Sequence, residues 1–439
     1  MSILTYLSPA RISRFMTAVR HEGWRAAIAK ARAYVAMHRA GRGRSALSHQ
    51  PHQPAPEERY LNEVWREMAQ KDAFHIGHAP ATVNRVRKIA MIGDLNLPQC
   101  RKYRVEQLEE FWAAQGVDYT FSHVQDVPRS SAILQEATHV MFYRTQNTPL
   151  SSMYLYEARR LRLPVLYDLD DPLFSVSAYE SYQSLNALPP EMKQHFVSEA
   201  PKYLDAMNLA DMVTVSTPGM AEHARLYTPR EVRIRRNFAD RATFEAADAA
   251  LAGVTQDPEA PFRVAFASGS RGHEADFAVI EEEVTAFLAA DPRRQLVILG
   301  HYDKTRLPEG FRHQIETHHF TDYAGYLAAL ATVDCAVMPL TDDQFNRCKS
   351  AVRVIDAAAV AVPSIVSPVG DMANVVRDGK TGYVAGPQRD WLESLEALAG
   401  DRAAAFRMGQ VARADLEKTW SGQAALPIVE QEVLAWVRA

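Results

Sequence analysis

Residues 345–369 read FNRCKSAVRVIDAAAVAVPSIVSPV: a loop, a buried helix, a short apolar strand and a turn, in that order. Asn346 is placed to cap the helix, because its side chain can accept from the first free backbone N–H groups. From Lys349 the run KSAVRVIDAAAVA is apolar on nearly every side, the pattern of a helix packed inside a larger domain. Lys349, Arg353 and Asp356 break that pattern, and their spacings of four and three put them on one stripe. The free N–H groups and dipole at such a helix start favour an anion, and Lys349 and Ser350 add a charge and a hydroxyl at the same end. The stripe therefore reads as a phosphate site, with Asp356 two turns on to accept from sugar hydroxyls. The competing reading is an Arg353–Asp356 ion pair on a partly solvated face.

Working outward, the stretch belongs to a regular alternation of strand and helix. PFRVAFAS, QLVILG, DCAVMPL and PSIVS are apolar strands in the second half, separated by the helices ADFAVIEEEVTAFLAA and DYAGYLAALATV. RKIAMIGD, DYTFSHV, ATHVMFYR, PVLYDLD, MVTVST and VRIRRN repeat the theme in the first half, which a less regular insertion interrupts at 172–190. β-α repeats with near-continuous apolar strands imply parallel sheets covered on both faces. The alternation stops in the Ala/Asp-rich segment 239–260 and restarts near Pro261. The expectation is an α/β protein of two Rossmann-like, doubly wound domains, 86–240 and 261–420, facing a cleft that suits a nucleotide-bearing substrate. A last helix from Leu426, within 421–439, is expected to cross back onto the first domain.

Residues 1–60 form a basic helical arm and linker. Over 9–38, Ile12, Phe15, Met16, Val19, Trp24 and Ile28 share one face, with Arg11, Arg14, Arg20, Arg25, Lys30 and Arg32 opposite. Such a helix suits either an anionic membrane surface or a packing partner. The linker 41–59 is rich in Gly, Pro, Ser and His. Residues 1–50 hold nine Lys or Arg against the single acid Glu22, a net of +8, so the remaining 40 basic and 52 acidic residues give −12. An acidic body argues against general nucleic-acid binding. Three scattered cysteines, Cys100, Cys335 and Cys348, suggest neither a disulfide framework nor a zinc site. With no signal-peptide pattern and no membrane-spanning run, the expected location is cytoplasmic, with peripheral contact at the inner face of the membrane.

Other residues carry chemistry. Gly269, Ser270, Arg271 and Gly272 follow a strand and precede a helix, so their N–H groups can cradle an anion, although neither the dinucleotide nor the P-loop spacing is present. His273 and Asp276 lie next, as contacts to donor or acceptor or simply as the start of a helix. Asp168, Asp170 and Asp171 end a strand, where parallel sheets display functional groups; Asp170 is the candidate base or acceptor contact and Asp171 suits a turn before Pro172. Arg101, Lys102 and Arg104 follow the first strand, either to meet an anionic acceptor or as a solvated loop.

SGSRGHEADF (268–277), KSAVRVIDAAAVAVPSIVS with the following VG, and VRDGKTGYV (376–384) together resemble the retaining glycosyltransferases of family 4, the glycosyl transferases group 1, over about Phe262 to Trp420. NLADMVTVST and the RRN at 235–237 resemble the end of the matching N-terminal domain. The resemblance is closest to bacterial enzymes that build cell-surface polysaccharides. It implies the GT-B fold and transfer of a sugar from a nucleotide-diphosphate sugar to a glycan or lipid-linked hydroxyl acceptor, without metal or cofactor. It puts Asp356 at the second carboxylate of a paired motif and Cys348 where the first is expected. Donor contacts then fall on Gly269, Ser270, Arg271, Lys349, Ser350, Arg353 and Asp356, acceptor contacts on Arg101 and Arg104, and catalysis on Asp170 and His273. An inactive scaffold and a nucleotide-sugar epimerase remain as alternatives.

Overall fold

The structure, a computed structural model, describes residues 9–39 and 86–438 except 256, 258, 270, 271, 301, 303–308, 320, 387, 388 and 423–427. The linker 41–59, Ser270, Arg271 and the expected helix start at Leu426 lie outside the described residues. Residues 1–54 and 55–439 are two compact units.

In the first unit the expected single helix is Pro9–Arg39, bent at Gly23, whose φ of 83° and ψ of 163° are not helical. Only glycine adopts such a backbone readily. Phe15 and Trp24 meet edge-on across the bend at 5.7 Å. Ile12, Met16, Trp24 and Ile28 are all exposed. Among the described residues no helix is long and apolar enough to cross a membrane.

The second unit holds two six-stranded parallel sheets. β1 (Lys88–Gly93), β2 (Asp118–His123), β3 (His139–Tyr143), β4 (Val165–Leu169), β5 (Met212–Val215) and β6 (Glu231–Ile234) run in the order β2-β1-β3-β4-β5-β6. β7 (Phe262–Ser268), β8 (Arg294–Gly300), β9 (Ile315–His318), β10 (Cys335–Met338), β11 (Ser364–Val366) and β12 (Gly382–Val384) run in the order β12-β11-β10-β7-β8-β9. Every pairing is parallel, for example Val140 opposite Val165 and Ala336 opposite Ser364. β9 and β12 are edge strands that no apolar run announces.

Each sheet is covered on both faces, as continuous apolar strands require. In the first, Ala90, Ile92, Val140 and Phe142 face one core, and Ile89, Met91, Met141 and Leu166 the other. That second core is completed by Val433, Leu434 and Val437 of the helix Gln431–Arg438. Phe345 and Cys348, from the second half of the chain, are buried in the first core. The two sheets are thus tied by residues that the second half of the chain buries against the first sheet.

After β1 the chain folds as a short helix Pro98–Arg101, a π-helical turn Lys102–Glu106 and a helix Gln107–Ala114. Irregular helices of this kind recur at functional sites. Here the turn directs Tyr103 and Arg104 inward.

Candidate functional site

Strand order reverses between β7 and β10, and ligands of open parallel sheets sit beyond such a point. The segments leaving these two strands meet there. Asp343 caps the short helix Gln344–Arg347, its Oδ1 accepting from the Asn346 N–H at 2.8 Å. The Asn346 side chain donates to Asp276 Oδ1 at 3.1 Å and to the Thr341 carbonyl at 3.0 Å. Asp276, fully buried, also accepts from the Thr341 N–H at 3.1 Å. Asn346 is therefore not the cap of the long helix, as its sequence position suggests, but the tie between the two segments. The long helix itself is Val352–Ala359, begins after Ala351 and has no side-chain cap. Lys349 and Ser350 precede it on a loop braced by Gly370, where φ is 68° and a Cβ would stand 2.8 Å from the Asn346 carbonyl oxygen.

Lys349 Nζ lies 3.7 Å from Asp276 Oδ2, donates to Tyr182 Oη at 2.9 Å and sits 4.8 Å from the Tyr182 ring centroid. Burial disfavours its charge, yet Tyr182 and Asp276 outweigh that and hold its pKa above the ordinary value. Arg353 reaches the Ala267 carbonyl at the end of β7, 3.4 Å away. Burial, with the Lys349 and Arg353 charges, pushes the His273 imidazole well below its ordinary pKa, so the ring is neutral at pH 7. His273 Nδ1, Asp276 Oδ2 and Asn346 Oδ1 are buried with no hydrogen-bond partner among the described residues. Lys349 and Arg353, two buried cations acting on the neutral His273 ring, make a polar site that can take an anion. Gly269 is exposed beside it.

Asp356 shares the helix with Arg353 but not its surroundings. Both its carboxylate oxygens accept from Tyr103 Oη, at 2.6 and 2.7 Å, and Tyr323 Oη donates at 2.8 Å. Burial pushes its pKa up to about 6. The alternative Arg353–Asp356 surface pair is not formed. Ser350 Oγ accepts from Asn237 Nδ2 at 2.9 Å.

On the first domain the structure separates the basic and acidic candidates. Arg101 is exposed and paired with Glu106 at 2.6 Å. Arg104 is fully buried, contrary to an acceptor-side role, because the π turn aims it at Asp168. Asp168, inside the sheet, is held by Arg104 and Arg235 and accepts from Thr214 Oγ1 at 2.6 Å. Burial opposes its charge, but the two arginines win and depress its pKa. Asp170, just past the strand, is paired with Arg144 at 3.1 Å and accepts from Tyr143 Oη at 3.0 Å. Among the described residues no group of three or more His, Cys, Asp or Glu could hold a metal ion.

Cys348 turns away from Lys349. Its Sγ faces the Gln344 carbonyl at 3.3 Å, and its own carbonyl accepts from Thr217 Oγ1 at 3.0 Å. The sequence reading missed Tyr103, Tyr182, Asn237 and Tyr323, each a partner of a residue it selected. Their only signal is proximity to strand ends or to the irregular insertion.

Residues 263–401 match the model of the family described as glycosyl transferases group 1. Similar solved structures include a sucrose-phosphate synthase from Thermosynechococcus elongatus, 17% identical, covering 80% of this chain and 98% of its own, with a TM-score of 0.53. Anabaena HepE, solved with UDP and glucose, is 11% identical over 80% of this chain and 99% of its own, at a TM-score of 0.49. A glycosyltransferase from Rickettsia africae is 10% identical over 80% and 98%, at 0.48. No curated protein matches the sequence.

Proposed function

We propose that this chain, which matches the glycosyl transferases group 1 model over residues 263–401 and has the two-sheet fold of GT-B enzymes, is a glycosyltransferase that moves a sugar from a nucleotide-diphosphate sugar to a hydroxyl acceptor in cell-surface polysaccharide synthesis, with retention of configuration. The observation that carries the donor reading is the pair of buried cations Lys349 and Arg353 at the β7/β10 reversal, whose charges also bear on the neutral His273 ring. As the glycosidic bond breaks, charge grows on the leaving diphosphate, and fixed cations in a largely dehydrated site stabilise that charge most effectively. Neutral His273 is proposed to hydrogen-bond the reacting sugar. Asp170, at the carboxyl edge of the first sheet, is proposed to meet the acceptor hydroxyl, a glycan or lipid-linked one. Exposed Arg101 is left as the cation for an anionic acceptor. Asp356 is proposed to accept from a ribose hydroxyl in exchange for one of its tyrosines.

Incubation with a panel of UDP-, GDP- and dTDP-sugars tests this. The expected result is nucleoside diphosphate release that requires a glycan or lipid-linked acceptor. Conversion of the donor without acceptor would mean an epimerase instead. No turnover of any donor would favour a scaffold, the reading that Cys348, buried in the first core, otherwise supports.

We place the protein peripherally at the inner membrane face through its arm. Exposed Ile12, Met16, Trp24 and Ile28 supply the apolar contact, and each basic residue near an anionic surface adds about 1 kcal/mol, lost as salt rises. Deleting residues 1–50 should abolish co-sedimentation with phosphatidylserine vesicles at low salt. Equal pelleting of both forms would reduce the arm to a packing element.

A further inference from the structure

The insertion at 172–190 has no role so far, yet it supplies the residue nearest the charge of Lys349. Its helix Val176–Ser181 ends at Tyr182, and a 3-10 turn, Gln183–Ala187, follows. We propose that Tyr182 and this turn form a gate over the anion site, so that the Tyr182 hydroxyl holds Lys349 in the place of a phosphate oxygen and must withdraw before a diphosphate binds. This rests on the donor reading above.

Four contacts define the gate. Lys349 Nζ donates to Tyr182 Oη at 2.9 Å. The Tyr182 ring stacks on Phe345 at 4.1 Å and 8°. The Gln183 N–H donates to Asp343 Oδ2 at 3.3 Å. The Ser184 carbonyl oxygen occupies the space of a side chain at Gly272, 2.4 Å from where its Cβ would be, and φ there is 100°. Glycine at 272 thus lets the gate close against the loop after β7.

The closed arrangement leaves polar groups unsatisfied on both sides. Ser184 Oγ, on the gate, is buried without a hydrogen-bond partner among the described residues, as is His273 Nδ1 in the segment after β7. A tyrosine hydroxyl is a neutral acceptor for an ammonium, whereas a phosphate oxygen pairs it with an opposite charge and is the stronger partner. Phosphate wins the exchange at Lys349 once the ring is out of the way. The gate itself is anchored away from the site: Tyr179 stacks on Phe196 at 5.8 Å, and Leu185 is buried in the first core. Opening therefore moves a segment of the first domain off the second. The gate lowers apparent anion affinity by the fraction of molecules that are open.

The experiment is calorimetric titration of the full chain with inorganic pyrophosphate, comparing wild type, Tyr182→Phe, Tyr182→Ala and Lys349→Gln. Removing the competing hydroxyl should tighten binding roughly three- to tenfold in Tyr182→Ala and by a smaller factor in Tyr182→Phe, which keeps the stack on Phe345. Hydrogen exchange at 182–187 should quicken when pyrophosphate binds the wild type. Unchanged or weaker binding in both Tyr182 variants, with Lys349→Gln still losing affinity, would overturn the gate and leave the donor site standing. Undiminished binding in Lys349→Gln would instead remove the donor site, and the gate with it.

Discussion

Replacing Asp168 by alanine should destabilise the protein by about 3–5 kcal/mol, the usual result of removing one partner from a buried ion network. The network is complete only with the carboxylate. Arg104 Nη2 lies 2.5 Å from Asp168 Oδ1, Arg235 holds the other oxygen, and all three side chains are at most 1% exposed. Without Asp168, two guanidinium groups stay buried with no counter-charge. At about 2–4 °C per kcal/mol, the melting temperature should fall by roughly 10 °C. The pH dependence has a definite sign. Because the folded pKa of Asp168 is depressed, its contribution is full at neutral pH and is lost as pH falls below the ordinary carboxylate range. Asp168→Ala should therefore lose this part of the wild type's acid sensitivity as well. The effect should extend to the junction: Arg104 Nη1 donates to Asn237 Oδ1 at 3.1 Å, and Asn237 donates on to Ser350. A melting temperature within 2 °C of wild type would show that the network does not hold this region.

This network also shows where sequence reading fails. Asp168 and Asp170 both end an apolar run, yet β4 stops at Leu169, so one carboxylate is locked inside the sheet and the other stands at its edge. Arg104 sits in a polar RKYR segment that looks solvated, and a π turn carries it inward. The strands buried on both faces were legible because neither set of alternate residues meets water, which leaves a continuous apolar run. β9 is half-buried throughout and β12 has three residues, so neither builds an apolar run. At the site, the charges were visible because they interrupt an apolar helix. Their partners were not: Tyr103 is 253 residues from Asp356, and Tyr182 is 167 from Lys349. Pairings at such separations are made by the topology and leave no periodic trace in the chain. The helix start was set three residues early because Asn346, a favourable cap, spends its side chain on Asp276 instead.

Lys349→Ala should weaken binding of a nucleoside diphosphate about 10- to 100-fold, the loss of a charge-assisted contact of roughly 1.5–3 kcal/mol. The nucleoside alone, which carries no phosphate, should bind nearly as before. Loss of the ammonium also leaves the buried Asp276 carboxylate without its cation, 3.7 Å away, so some loss of stability is expected. Lys349→Gln keeps a donor near Tyr182 and Asp276, and separates a folding defect from a lost phosphate contact. Asp356→Asn should weaken nucleoside and nucleoside diphosphate equally if the carboxylate trades a tyrosine for a ribose hydroxyl. The deciding measurement is calorimetric titration of wild type, Lys349→Gln and Asp356→Asn with the best-binding nucleoside diphosphate and its parent nucleoside. The donor site predicts that Lys349→Gln loses at least tenfold in affinity for the diphosphate alone, while Asp356→Asn loses affinity for both ligands. Wild-type affinities in both folded variants would contradict it.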